Sequence, residues 1–223
     1  MTRRGEPRIP FQTQINNILG DAVNDESIDR QSNSFAKFAD DYFNHVYSIL
    51  RSIDIGSIDN FVKILLNARV NKNKIFFIGN GGSASTASHF ANDLTVGTRQ
   101  DERPFPVISL TDNVAVITAI GNDFGYEHIF SKQLAAYGTK GDVLVAISAS
   151  GNSPNLLKAI ERAKLMDILT VGITAFDGGR LMAAADRSIH VPTGKGEYGP
   201  AEDAHLILNH LIVGYLAKIL KRA

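Results

Sequence analysis

From Asn73 onward the chain alternates between two textures, and this alternation restricts its fold more than any other feature. Lys74-Ile75-Phe76-Phe77-Ile78 is a compact β-rich run that stops at Gly79. Similar runs follow at Pro106 to Leu110, Val143 to Ile147, Thr170 to Ile173 and Ser188 to Val191. Between them lie helical patterns at Ala84 to Val96, Val114 to Ile120, Tyr126 to Tyr137, Asn155 to Leu165 and Leu181 to Ala185, and a long one from Ala201 to Lys221 closes the chain. Short apolar runs alternating with helical periodicity predict an α/β fold. Its sheet is mostly parallel, has about five strands and is covered by helices on both faces. Ahead of the sheet, Phe35, Phe38, Tyr42, Val46, Ile49 and Leu50 recur at helical spacing, and a second such pattern runs from Ile58 to Ala68. Residues 1–31 are polar and punctuated by Gly5, Pro7 and Pro10. They read as a weakly ordered extension with one short helix near Phe11 to Leu19, which leaves 32–223 as the domain.

Composition removes several classes of function. The 223 residues are 44% hydrophobic, enough for a substantial core, and carry 23 Lys+Arg against 23 Asp+Glu. Zero net charge argues against a bulk electrostatic grip on nucleic acid or on an anionic membrane. The absence of cysteine excludes disulfide frameworks, thiolate zinc fingers and cysteine nucleophiles. The basic start, Met1 to Gly5, is followed by no apolar signal core, and the apolar stretch Leu206 to Leu220 is broken by Asn209, His210 and Lys218. A cytoplasmic globular protein with no membrane span is expected.

Ligands of open parallel sheets bind at the carboxyl ends of the strands. The first run is followed by Gly79-Asn80-Gly81-Gly82-Ser83-Ala84-Ser85, and the third by Ser148-Ala149-Ser150-Gly151-Asn152-Ser153-Pro154. Each loop leads into a helix, and Pro154 suits a first helical turn, where its missing N–H costs nothing. Glycines let backbone N–H groups approach a ligand, serines add hydroxyls, and a helix N-terminus favours negative charge. Ser, Asn and Gly also serve as ordinary N-caps and tight turns, but two such loops at equivalent places point to a phosphate site. A dinucleotide fingerprint is a poorer match: Ala84 stands at the third glycine, and Asp112 is the nearest acidic residue after the second run. No P-loop is present, since Gly194-Lys195 is followed by Gly196.

The helix opened by the first serine loop carries His89 and Asp93, four residues apart and so on one face. The last helix carries Glu202, His205 and His210, with Glu202 and His210 able to face one pocket. Two histidines and two carboxylates suit a divalent transition metal, zinc being the commonest, and equally suit metal-free acid–base work. Spacing leaves open whether the two helices meet across the sheet or across a subunit interface. His205 reads as support for the site or as packing, and His128 and His190 as structural or surface residues.

Together, Gly79-Asn80-Gly81-Gly82-Ser83, His89-Phe90-Ala91, Gly121-Asn122-Asp123-Phe124-Gly125, Ile129-Phe130-Ser131, Ile147 to Ser153 and Asp177-Gly178-Gly179 resemble the phosphoheptose isomerases, sugar isomerase (SIS) domain proteins. The resemblance runs from about Phe35 to the C-terminus. It implies a three-layer α/β/α sandwich with a five-stranded parallel sheet, and a homotetramer with active sites between subunits, which would bring the His89 and His210 helices together. It further implies conversion of sedoheptulose 7-phosphate into D-glycero-D-manno-heptose 7-phosphate. By this resemblance Ser83, Ser148, Ser150 and Ser153 bind the phosphate, with Ala149 standing where a hydroxyl is expected. Asn80, Gly81, Gly82, Asn122 and Asp123 line the sugar site. Asp93 and His210 are the catalytic pair, and His89, Asp93, Glu202 and His210 fall on the zinc-ligand positions. Asp93 stands in place of a glutamate and Glu202 in place of a glutamine, the latter beside the substrate.

An aldose–ketose interconversion moves a proton between adjacent carbons through an enediol. The expected roles are Asp93 taking the carbon-bound proton and His210 serving the sugar oxygen, with zinc available to polarise the carbonyl. Two other readings come from the same superfamily: a non-catalytic adaptor for the replication initiator DnaA, and a phosphosugar-sensing module. His89, Asp93 and His210 together favour the enzyme, since an adaptor has no need of that set.

Overall fold

The computed structural model describes residues 34–99 and 102–221. The short helix expected near Phe11 and the boundary expected at residue 31 lie outside the described residues. The chain divides into two compact units, up to Asn44 and from His45 onward. The described part of the first unit is the opening of helix α1 (Phe35–Ser52), where Phe38 and Tyr42 stack one turn apart with ring centroids separated by 6.2 Å.

The second unit holds the sheet. Helix α2 (Ile55–Asn71) starts at Asp54, whose carboxylate accepts hydrogen bonds from the Gly56 and Ser57 backbone N–H groups at 2.9 and 3.1 Å. Such a cap contributes about 1 kcal/mol. The strands are β1 (Ile75–Gly79), β2 (Val107–Ser109), β3 (Val143–Ser148), β4 (Leu169–Thr174) and β5 (Arg187–His190). They lie in the order β2-β1-β3-β4-β5, and every neighbouring pair is parallel. The chain therefore runs outward from β1 to β2 on one side and from β3 to β5 on the other. The crevice at this switch point, between the carboxyl ends of β1 and β3, is where such sheets bind ligands. Both serine loops leave from there.

Six more helices among the described residues clothe the sheet together with α2: α3 (Gly82–Asn92), α4 (Val114–Phe124), α5 (Ser131–Tyr137), α6 (Pro154–Leu165), α7 (Gly179–Ala184) and the closing α8 (Tyr198–Leu220). The strand residues alternate between two cores because successive side chains point to opposite faces. Ile75, Phe77, Val145, Ile147, Val171 and Ile173 pack with α2, α3 and α8, where Phe77 stacks on Phe90 at 5.0 Å. Phe76, Ile78, Leu144 and Ala146 pack with α5, α6 and α7 through Leu134, Leu156, Ile160 and Leu181. Burial on both faces explains why the strands read as continuous apolar runs. The three-layer arrangement follows.

At the amino ends of the strands, the buried Asp142 carboxylate accepts from the Lys74 and Thr139 backbone N–H groups, both at 2.8 Å. It thereby ties the entries of β1 and β3. That rim is closed by structural bonds, and the carboxyl rim is left to function.

Some expected boundaries move. The expected helix Ala84 to Val96 starts at Gly82 and passes after Asn92 into a π-helical turn, Asp93–Gly97. The stretch from Tyr126 to Tyr137 is broken into a 3₁₀ turn, Tyr126–His128, and α5, preceded by Gly125 at φ 94°. Helix α8 starts at Tyr198, earlier than expected, because Pro200 is tolerated inside the first turn. No helix among the described residues is long and apolar enough to cross a membrane.

Candidate active site

The loop after β3 is held by its own hydrogen bonds. Ser148 Oγ accepts the Gly151 N–H at 3.0 Å, and Gly151 adopts φ 63°. Its backbone lies so close to Gly178 that an added Cβ would stand 2.1 Å from the Gly178 carbonyl oxygen. Ser150 Oγ accepts the Asn152 N–H at 3.4 Å. Asn152 Oδ1 in turn accepts the Arg180 N–H at 3.2 Å, pinning the loop to α7. Ser153 occupies the N-cap of α6, ahead of Pro154, without bonding a helix N–H through its side chain.

The loop after β1 is locked to this one by amides. Asn80 Nδ2 donates to Asn155 Oδ1 at 2.9 Å, and Asn155 Nδ2 donates back to Asn80 Oδ1 at 2.8 Å. The Tyr126 hydroxyl also donates to Asn80 Oδ1, at 3.0 Å. Asn80, Tyr126, Glu127, Ser153, Pro154, Asn155 and Lys158 line a cavity of about 530 Å³, within the usual range of about 300–1,000 Å³ for small-molecule sites. Gly81, at φ 53°, caps α3, and Ser83 is buried in the first turn of that helix. Ala149 is buried within the loop after β3. Asn122 and Asp123 are exposed at the end of α4 and bond to each other at 2.8 Å. Asp112 is engaged locally, accepting from Ser88 and Thr111.

Behind the β1 loop, α3 and α8 come together. His89 Nε2 and His210 Nε2 lie 3.3 Å apart, their rings edge to face at 5.0 Å. Asp93 Oδ2 stands 3.2 Å from His89 Nε2 and 3.9 Å from His210 Nε2. Of the two alternatives the spacing leaves open, contact within one chain is the one seen here, because both helices pack on the same face of the sheet. One donor atom from each of the three residues falls within 4.8 Å of the others. Donors in a tetrahedral zinc site, with bonds of about 2.0–2.1 Å, stand about 3.3 Å apart. The His89–His210 and His89–Asp93 separations match that edge, so the nitrogen–oxygen donor set fits a divalent transition metal.

Glu202 is not part of this group. Its carboxylate lies over Gly82, where an added Cβ would stand 2.1 Å from Glu202 Oε2. On α8 it stands eight residues, more than two helical turns, before His210, and the grouped donors are His89, Asp93 and His210. It instead places negative charge at the N-terminus of α3, where the helix dipole favours it. The start of α8 is itself fixed by Glu197, whose carboxylate accepts the Gly194 N–H at 2.6 Å and meets His45 Nε2 at 3.1 Å. Those bonds, Gly194 first, lower the Glu197 pKa.

His205 is fully buried, with Nε2 3.5 Å from the Thr174 carbonyl and Nδ1 without a partner. Burial, only partly offset by the Thr174 contact, pushes its pKa from 6.5 down to about 4. It packs as a neutral ring and touches neither His89 nor Asp93. A depressed histidine pKa means that the unfolded chain binds the proton first. Stability is therefore full above pH 6.5 and falls as the pH drops toward 4, by up to about 3 kcal/mol. Urea unfolding of wild type at pH 7 and pH 4.5 should show this loss, and His205→Leu should remove most of it.

The sequence reading missed Tyr126, Asn155 and Asn209. Asn209 is wholly buried and donates through Nδ2 to Asp93 Oδ2 at 2.8 Å. A signal was present, since Asn209 shares the helical face of Ile212, Val213 and Leu216, all buried. A lone amide on such a face needs a polar partner.

A parallel sheet with serine turns at its switch point and a histidine–carboxylate group behind them defines a sugar isomerase domain, and residues 41–175 match the SIS domain family. The phosphoheptose isomerase of Rhodospirillum rubrum is 42% identical over 147 residues, covering 66% of this chain and 77% of that protein. That of Aneurinibacillus thermoaerophilus is 40% identical over 152 residues, covering 68% and 76%. Among solved structures, the phosphoheptose isomerase of Francisella tularensis aligns with a TM-score of 0.76 at 28% identity over 83% of this chain and 99% of that one. That of Neisseria gonorrhoeae aligns with a TM-score of 0.74 at 30% identity over 82% and 98%. The chain belongs to the phosphoheptose isomerases of the SIS domain family.

Proposed function

We propose that this protein interconverts sedoheptulose 7-phosphate and D-glycero-D-manno-heptose 7-phosphate through an enediol. The observation that carries the reading is the convergence of His89, Asp93 and His210 within one chain, in a protein whose relatives are phosphoheptose isomerases.

The substrate phosphate belongs in the loop Ser148 to Ser153. That loop offers three serine hydroxyls, its backbone N–H groups and the N-terminus of α6. The N-terminus of α3, beside Ser83, is the poorer anion site because Glu202 already lies over Gly82. Glu202, Gly81 and Gly82 then face the sugar hydroxyls, with the Asn80–Asn155 pair holding the two loops in register. Asn122 and Asp123 are assigned to the sugar side of the site on resemblance alone.

Asp93, at the start of the π-helical turn that follows α3, takes the carbon-bound proton, and His210 exchanges the proton at the neighbouring sugar oxygen. His89, Asp93 and His210 would hold one zinc ion, which supplies Lewis-acid polarisation of the carbonyl when bound. His210 Nε2 serves one task at a time, ligand or proton carrier, so the proton steps are assigned to the chain's own groups.

The working form is proposed to be a homotetramer in the cytoplasm. Supporting this, Ile207, Leu211 and Tyr215 lie four residues apart along α8 and are 39%, 53% and 51% exposed in the single chain. An exposed apolar stripe of that kind is suited to a subunit interface.

Incubation with sedoheptulose 7-phosphate and zinc in D₂O tests the proposal. Aldose product carrying deuterium at C2 is expected. Absence of both turnover and label would overturn it.

A further inference from the structure

We infer that Asn209 is a positioning residue that fixes the Asp93 carboxylate beside His89 and His210. The inference rests on the reading of Asp93 as a working group of this site.

Asn209 and His210 are consecutive on α8, and His89 on α3 lies one turn before Asp93, which opens the π-helical turn that follows. Each residue of one pair reaches one of the other: His210 meets His89 at 3.3 Å, and Asn209 Nδ2 donates to Asp93 Oδ2 at 2.8 Å. The second carboxylate oxygen, Oδ1, accepts from Asn92 Nδ2 at 3.0 Å. Both torsions of the aspartate are thus constrained by amides on its two oxygens. The two bonds are not equivalent. Asn92 is exposed and water competes for its amide, whereas Asn209 is fully buried, so water cannot replace its bond.

The amide orientation is fixed by chemistry. An ionised carboxylate only accepts hydrogen bonds, so Nδ2 must face it, and a flipped amide would set two oxygens together. Oδ1 is left buried with no partner. An orphaned buried acceptor is destabilising, and its neighbours on this face, His205, Leu208, Ile212, Val213 and Leu216, are all buried. Leucine would fill such a position without the orphan. What asparagine adds is the donor aimed at Asp93. A carboxylate misplaced by about 1 Å can cost about 10²-fold in rate, and partners that orient metal ligands typically change metal affinity by about 10–100-fold.

The test compares wild type with Asn209→Leu, which keeps the branched shape and the number of heavy atoms, and Asn209→Ser, which stays polar but is too short to reach Asp93. Asn209→Leu is expected to melt at or above the wild-type temperature. Its kcat should fall about 10- to 100-fold with KM unchanged, and zinc affinity of the metal-stripped protein, read by calorimetry, should fall by about tenfold or more. If the leucine variant does not fold, the serine variant should show the same kcat and zinc losses. A folded variant with wild-type kcat and wild-type zinc affinity would overturn the inference. So would a loss confined to stability. If wild type binds zinc but does not isomerise the heptose phosphate, the functional reading falls. In that event, a weakened zinc affinity in Asn209→Leu still upholds the positioning role, and an unchanged one overturns it. A wild type with neither turnover nor zinc binding overturns both.

Discussion

His210→Ala is expected to lower kcat for sedoheptulose 7-phosphate isomerisation by about 10³-fold, in the middle of the range for loss of a general acid–base group. The side chain of His210 is 57% exposed, and its close partners are His89 and Asp93. Removing an exposed side chain usually changes stability by no more than about 0.5 kcal/mol, so the variant should fold and melt like wild type. The phosphate loop lies on another element and is untouched, which leaves KM within a few-fold. A coupled assay of aldose formation, run beside a thermal melt, separates these effects. Retention of more than a tenth of wild-type kcat would remove His210 from the chemistry.

Gly151→Ala should act through the backbone, with a large effect on stability. At φ 63°, a residue with a Cβ loses about 1–2 kcal/mol. The added carbon would also stand 2.1 Å from the Gly178 oxygen and 2.7 Å from its carbonyl carbon. Both are main-chain atoms, so no side chain can swing aside. The loop must move away from Gly178, straining the Gly151 N–H bond to Ser148 Oγ at 3.0 Å and the Leu181 N–H bond to the Gly151 carbonyl at 2.8 Å. Each such bond contributes about 0.5–1.5 kcal/mol. The total loss should reach about 3–5 kcal/mol, a large fraction of the roughly 5–15 kcal/mol that stabilises a domain. Urea unfolding measures that loss, and competition by inorganic phosphate measures the damage to the anion site. A midpoint within error of wild type would show that the loop is not constrained in this way. Gly82 is the contrasting case: its added Cβ meets only the carboxylate end of Glu202, and that end can rotate away.

The strands were legible because both faces are buried, so each reads as an unbroken apolar run such as Phe76-Phe77-Ile78. The edge strands β2 and β5 are the exceptions, since both are partly exposed. β2 is only three residues long, shorter than the expected Pro106 to Leu110. The serine loops were legible from glycine and serine chemistry and from their place after β1 and β3. Their mutual locking was not, because the Asn80–Asn155 pair joins residues 75 positions apart. Likewise, Asn209 looked like an interruption of an apolar helix, since its partner Asp93 lies 116 positions away.

By itself, the sequence determined the α/β class, the two glycine–serine turns after β1 and β3, and the candidates His89, Asp93, Glu202 and His210. These follow from local rules: periodicity, turn chemistry, and the absence of cysteine, which restricts any zinc site to histidine and carboxylate ligands. Only the tertiary structure decided which candidates converge. It packed α3 and α8 on one face of the sheet, joined His89, Asp93 and His210 within a single chain, set Glu202 over Gly82, and aimed a buried Asn209 at Asp93. The reason is geometric. Spacing along one helix orients its own side chains, but the distance between two helices depends on the sheet to which both are anchored.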